Sequence, residues 1–138
     1  PIHRWHHAPT ELYWLAGIRA SFPQVVLASV PYLLAFPLLK PVPSLFFPFY
    51  SYLMILTNNW MHMNVTWQSQ KLEWFFVTPR YHRVHHLKEV GQAGANFGVL
   101  FTLWDRMFGT YADPEQVEST GPYGIQETVH PVRMAIGV

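Results

Sequence analysis

The chain has 138 residues, enough for one domain with a modest core and too few for two independent ones. Half of it is hydrophobic, 17% is aromatic and only 12% is charged, against roughly 25% charged in ordinary globular chains; this favours a membrane-embedded or membrane-associated protein, and a net charge of +1 leaves no basic field for nucleic acid. Cysteine is absent, which excludes disulfides, thiolate catalysis and cysteine-based zinc sites together, so any metal must be held by nitrogen and oxygen.

The first feature in chain order is "PIHRWHH", a His-x-x-His-His pattern formed by His3, His6 and His7. The sequence starts with Pro1 and shows no basic start, apolar run and cleavage site of a signal peptide, so an internal fragment with an upstream start is expected. Next comes the apolar half. Residues 22–39, "FPQVVLASVPYLLAFPLL", carry no charge, nor do residues 41–70, with Lys40 alone between them. The stretch "LLKPVPS" reads as a turn. A helix over 24–39 would be roughly 24 Å long, a little under the ~30 Å of hydrocarbon, so each arm is expected to be a short span or a re-entrant leg, with Pro23, Pro31 and Pro37 kinking the first. The core of a soluble helical bundle is the alternative, disfavoured by the length and aromatic content of the runs.

A hairpin that enters and leaves the membrane returns its two ends to one side. His62, in "NNWMHMN", and the second His-x-x-His-His pattern, His82, His85 and His86 in "TPRYHRVHHLKE", follow the hairpin and so would face the first cluster. Arg4, Arg19, Lys71, Arg80, Arg83, Lys88, Arg106 and Arg133 would share that side, which the positive-inside rule makes cytoplasmic. Trp60, Trp67, Trp74 and Trp104 suit an interfacial belt, with one or two lining a channel. Beyond His86, "KEVGQAGANFG" is a loop in which Gly91, Gly94 and Gly98 serve turns. "VLFTLWDRMFGTY" is a short apolar segment closed by Gly109. From Ala112 onward the tail is polar and turn-rich, expected over the cytoplasmic face, with His130 a surface residue.

Residues at i, i+3 and i+4 of a helix share one face, so His3, His6 and His7 point together, as do His82, His85 and His86. A first-row metal takes imidazole nitrogens at roughly 2.0–2.1 Å, so one cluster can give two ligands to one ion and a third to a neighbour, and two facing clusters can hold two ions. His62 reads as a further ligand at the same level, or else as an interfacial histidine. Asp105 is a candidate to accept an imidazole N–H and fix its tautomer, against pairing with Arg106 or capping a turn. Asn64 and Asn96 either orient ligands or serve the local backbone. Glu73 reads as a solvated charge near the headgroups more readily than as a carboxylate supporting the site.

"HRWHH", the lone His of "MHMN", "TPRYHRVHH", "NFGVLFTLWDRMFGTY" and "YGI", in this order around an apolar hairpin, resemble the fatty acid hydroxylase/sterol desaturase superfamily. The resemblance runs from His3 to about Ile125, so that residues 1–138 are expected to be one such domain. It implies an all-α integral membrane protein, a helical hairpin with a cytosolic histidine-rich cap, in a bacterial inner membrane or the endoplasmic reticulum. It further implies two non-haem irons, replaceable by zinc in preparations, held by His3, His6, His7, His62, His82, His85 and His86. With O₂ and electrons from a donor such as a cytochrome b5-type or ferredoxin-type reductase chain, such enzymes hydroxylate or desaturate lipids and sterols. The family's further His-x-x-x-His motif upstream of the first cluster is missing, which makes this an N-terminally truncated member or a degenerate one. Two other readings stay open: a histidine-rich membrane protein that binds or transports metal without oxygenase activity, and an inactive structural fragment. Transport should place ionisable groups within the spans, whereas these histidines flank them.

Overall fold

The structure, a computed structural model, describes residues 2–39, 45–65, 67–89, 94–117, 121–125, 128 and 130–137. Lys40, the proline turn after it and Gly91 lie outside these residues. The described chain is all-α: helices and 3-10 turns, with two isolated antiparallel bridges, Phe76 to Phe101 and Leu87 to Tyr123.

Helix α1 is the single turn Arg4–His7, and a 3-10 turn follows at Trp14–Ile18. Helix α2 runs Phe22–Ala35 and tightens into a 3-10 turn at Phe36–Leu39. Its start is set by buried Ser21, whose hydroxyl accepts from Gln24 N–H at 3.3 Å and donates to the Ile2 carbonyl at 2.5 Å. Pro23 falls in the first turn, where its missing N–H costs nothing, whereas Pro31 lies inside the helix and removes a bond. Helix α3, Phe46–Met61, is the second arm.

At 1.5 Å per residue these helices are roughly 21 and 24 Å long, and among the described residues no helix is long and apolar enough to cross a membrane. The two arms expected from the sequence are present as short apolar legs. Helix α2 buries no residue and α3 buries Met61, so Leu33 (70% exposed), Leu34 (71%) and Phe49 (66%) face outward.

Helix α4, Gln70–Glu73, and helix α5, Pro79–His86, carry clear start signals. Ser69 and Thr78 cap them by accepting from Leu72 N–H and Tyr81 N–H, and Pro79 pre-sets the first turn of α5. Glu73 is buried rather than solvated, because the start of α5 needs it: Thr78 donates to its carboxylate at 2.9 Å and the buried Arg80 pairs with it at 3.5 Å. Helix α6, Leu103–Phe108, ends at Gly109, whose φ of 72° is the left-handed conformation that closes helices at little cost to glycine. Helix α7, Pro131–Ala135, packs on α1.

The C-terminal half of α3 packs against both the 3-10 turn at Trp14–Ile18 and α5. The close approach of that turn depends on Gly17, where a Cβ would stand 2.8 Å from His62 Nδ1. A small apolar cluster of Met61, Val77 and Tyr81, with Tyr111 against it, supports the junction. Among the described residues twelve polar side chains are buried against nine apolar ones. An interior so polar is costly unless its groups are paired, so the junction reads as a built site rather than an ordinary core.

Candidate metal centre

Seven of the eight histidines meet at this junction, and each sequence cluster divides between two groups, the first giving one ring to a quartet and two to a trio and the second the reverse. His6 from α1, His62 at the end of α3, and His82 and His86 one turn apart on α5 form a buried quartet. His3 and His7 from the α1 segment and His85 from α5 form a trio beside it. Within each group the candidate ligand atoms lie within 4.8 Å of one another. The groups adjoin, with ring centroids 4.5 Å apart for His7 and His86 and 4.7 Å for His3 and His6. The hairpin thus brings the opening and later clusters together, as their spacing predicts.

In the quartet, His62 Nε2 lies 3.2 Å from His6 Nε2, 3.2 Å from His86 Nε2 and 3.1 Å from His82 Nε2, while His82 and His86 Nε2 stand 3.1 Å apart. A neutral ring nitrogen carries one hydrogen or one lone pair, in one direction, and so cannot make three such bonds. The tautomers sharpen the point. His62 Nδ1–H donates to the Asn58 carbonyl at 2.6 Å and His6 Nδ1–H to the Arg19 carbonyl at 3.2 Å, which leaves both Nε2 atoms as lone pairs facing each other. A cation between them removes that repulsion. Four nitrogens about 2.0–2.1 Å from a shared ion stand roughly 3.3 Å apart at the tetrahedral angle, close to the observed separations, so the residues fit a metal.

Six of the rings are pushed toward the neutral form. Burial is the first cause that pushes His6 down from 6.5 to about 2 and His7 to about 3, and neighbouring imidazoles add to it. Burial likewise holds His82 and His86 below the usual range, again helped by nearby rings. For His62 and His85 burial outweighs the backbone hydrogen bonds that pull the other way. Neutral imidazoles are what metals bind. In the trio, His85 Nδ1–H donates to the Ala95 carbonyl at 2.8 Å, so its Nε2 is free to coordinate. The Nδ1 atoms of His82 and His86 are buried without a partner among the described residues.

Asp105 receives no imidazole N–H. Its carboxylate accepts from Tyr81 Oη at 2.6 Å, Thr110 Oγ1 at 2.5 Å, and the backbone N–H groups of Phe97 at 2.8 Å and Gly98 at 2.6 Å. Burial would raise its pKa, but these bonds, led by that from Thr110, outweigh it and hold the group ionised. It acts on His85 through its charge, and on the site's framework through Tyr81 next to His82 and through the loop that carries Ala95. Asn96 serves the same loop: wholly buried at φ 56°, it donates to the Tyr81 and Ala112 carbonyls and accepts from Ala112 N–H. Asn64 is exposed just beyond His62. His130 is exposed and accepts from Val132 N–H to cap α7. Sequence reading missed Tyr81, visible in "TPRYHRVHH" as the one aromatic beside the ligands, and the carbonyls of Arg19, Asn58 and Ala95, for which no side-chain signal exists.

A family model described as fatty acid hydroxylase matches residues 1–110. The alkylglycerol monooxygenase of Xenopus tropicalis is 29% identical over 94% of this chain and 27% of that protein. The ornithine lipid hydroxylase OlsE of Rhizobium tropici is 32% identical over 86% of the chain and 36% of that protein, and human alkylglycerol monooxygenase is 28% identical over 94% and 27%. The chain thus spans about a quarter to a third of the length of these curated relatives. No solved structure gives a significant match.

Proposed function

The chain belongs to the fatty acid hydroxylase family, and on that premise we propose that it carries the di-iron centre of an O₂-dependent lipid hydroxylase. The observation that bears most weight is the pair of lone-pair nitrogens, His6 and His62 Nε2, held 3.2 Å apart and neutral inside a quartet. His6, His62, His82 and His86 would hold one metal and His3, His7 and His85 a second. Imidazole suits iron as well as zinc. Iron held there supplies O₂ activation for the attack on an unactivated C–H bond, which no side chain can perform. The balance is R–H + O₂ + 2 e⁻ + 2 H⁺ → R–OH + H₂O, with the electrons from a separate donor protein of the cytochrome b5 or ferredoxin type. The protein's own residues do the positioning: backbone carbonyls fix the tautomers of His6, His62 and His85, and Asp105 locks the loop over His85. The relatives' names, alkylglycerol monooxygenase and ornithine lipid hydroxylase, favour hydroxylation of a lipid over desaturation.

The apolar legs α2 and α3 are read as a re-entrant hairpin lying in one leaflet, since exposed apolar surface of this extent needs a cover. The histidines then sit at the membrane's cytoplasmic edge with the arginines. Metal passage through the hairpin is disfavoured, because Phe22–Ala35 and Phe46–Met61 carry no histidine, acid or base. The test is elemental analysis of the purified protein, wild type beside His85→Ala, together with ¹⁸O₂ incorporation into lipid. About two irons are expected in the wild type and one or none in the variant. An unchanged metal content in His85→Ala removes the assignment, and label appearing only in water removes the hydroxylase.

A further inference from the structure

A groove of about 520 Å³ lies between α3 and the segment 97–110, within the range of roughly 300–1,000 Å³ that holds small ligands. Its walls are Tyr50 and Met54 from α3, Leu100, Phe101, Trp104 and Phe108. Two polar side chains from the 97–110 segment reach it, Asp105 and Thr110, and they are spoken for: Thr110 donates to Asp105, whose other acceptor positions are filled by Tyr81, Phe97 and Gly98. Beyond the Tyr50 hydroxyl and the Trp104 indole N–H the walls have little hydrogen-bonding capacity to offer, and a mainly apolar occupant fits them. Tyr50 and Met54 belong to the apolar leg whose outer residues are exposed, so the groove shares its entrance with the surface read above as facing lipid.

Phe97 stands where the groove comes closest to the histidines. Its ring lines the groove and packs edge-on against the trio's His85, with centroids 5.6 Å apart. It is a fixed wall. Its N–H is bound to Asp105 at 2.8 Å, and the residue before it, Asn96, is buried and triply bonded.

We propose that the groove takes the unbranched alkyl chain of the lipid and that Phe97, the partition between chain and His85, sets which carbon is oxidised. The inference rests on the hydroxylase reading. Its first test does not depend on chemistry: dibromostearate is titrated into the iron-loaded protein and tryptophan fluorescence is followed. Saturable quenching, relieved by excess plain stearate and largely lost in Trp104→Phe, is expected; quenching unaffected by Trp104→Phe overturns the groove. The second test maps the hydroxylated carbon by mass spectrometry in wild type, Phe97→Ala and Phe97→Trp, with iron content measured beside it. Phe97→Ala and Phe97→Trp are expected to move the site in opposite directions along the chain at unchanged iron. An unmoved site, or loss of iron in both variants, overturns the role of Phe97. If the wild type oxidises no lipid, the hydroxylase reading fails while the quenching result still decides whether the groove holds a chain.

Discussion

The quartet and the trio draw on the same α1 and α5 segments, yet they end in different surroundings. In the quartet all four rings are buried and their nitrogens crowd to 3.1–3.2 Å. In the trio His85 is buried while His3 and His7 keep some exposure. The extra member is His62, delivered by the end of α3 and pressed into place by the 3-10 turn over it. The trio lies nearer the apolar groove, since its His85 is the ring that Phe97 packs against.

The largest expected effect separates the two groups by removing a ligand from each. His86→Ala takes a ring from the quartet, where its nitrogen neighbours His62 and His82. Substituting an outer partner of a ligand already costs about 10–100-fold in metal affinity or activity, and loss of a ligand should exceed this. His86→Ala is expected to lose the quartet's metal and lower thermal stability as well. His7→Ala should lose the trio's metal alone. Elemental analysis with calorimetry reads both, and equal losses of metal and stability in the two variants would erase the distinction drawn here.

A smaller effect probes how His62 is delivered. Gly17→Ala places a methyl 2.8 Å from His62 Nδ1 and against Asn58, whose carbonyl fixes the tautomer. Overpacking of this kind costs about 1–3 kcal/mol. The expected outcome is a lowered melting temperature with weaker retention of the quartet's metal against a chelator. Retention at the trio should follow wild type.

Asp105→Asn acts on the other side. It keeps the shape but gives up the charge that Tyr81, Thr110, Phe97 and Gly98 bond to, where each bond to a charged group is worth about 1.5–3 kcal/mol. The loop carrying Ala95 loosens, so chelators should strip the trio faster than the quartet, the reverse of Gly17→Ala.

How far the sequence revealed this arrangement follows from what each feature rests on. The helical spacing of His82, His85 and His86 is local, so it pointed to a shared face without any fold. The facing of the two clusters was legible because an uncharged hairpin must return. The first arm, expected over 24–39, is helical over Phe22–Ala35 and tightens into a 3-10 turn at Phe36–Leu39, because the uncharged run marks where the apolar leg ends but not where its winding changes. Glu73 was misplaced because a carboxylate's burial depends on Arg80 and Thr78, which approach only when α5 forms. Asp105 was singled out with an imidazole, Arg106 or a turn as its partner, whereas its donors, Tyr81, Thr110 and the N–H groups of Phe97 and Gly98, come together only in the fold. Gly17 gave no signal, as its role lies in what it lacks, seen only against Asn58 and His62.

The smallest effect concerns the eighth histidine. His130 precedes Pro131, is exposed, and accepts from Val132 N–H at 3.3 Å as the cap of α7. Helix α7 packs on α1, the segment that supplies His3, His6 and His7, so the cap touches the centre only through packing. Loss of a capping acceptor costs about 0.5–2 kcal/mol, and a long bond on an exposed ring belongs at the low end. His130→Ala should therefore keep both metals and lower the melting temperature slightly. If instead it strips the trio, the tail takes part in coordination and the division into four and three must be redrawn.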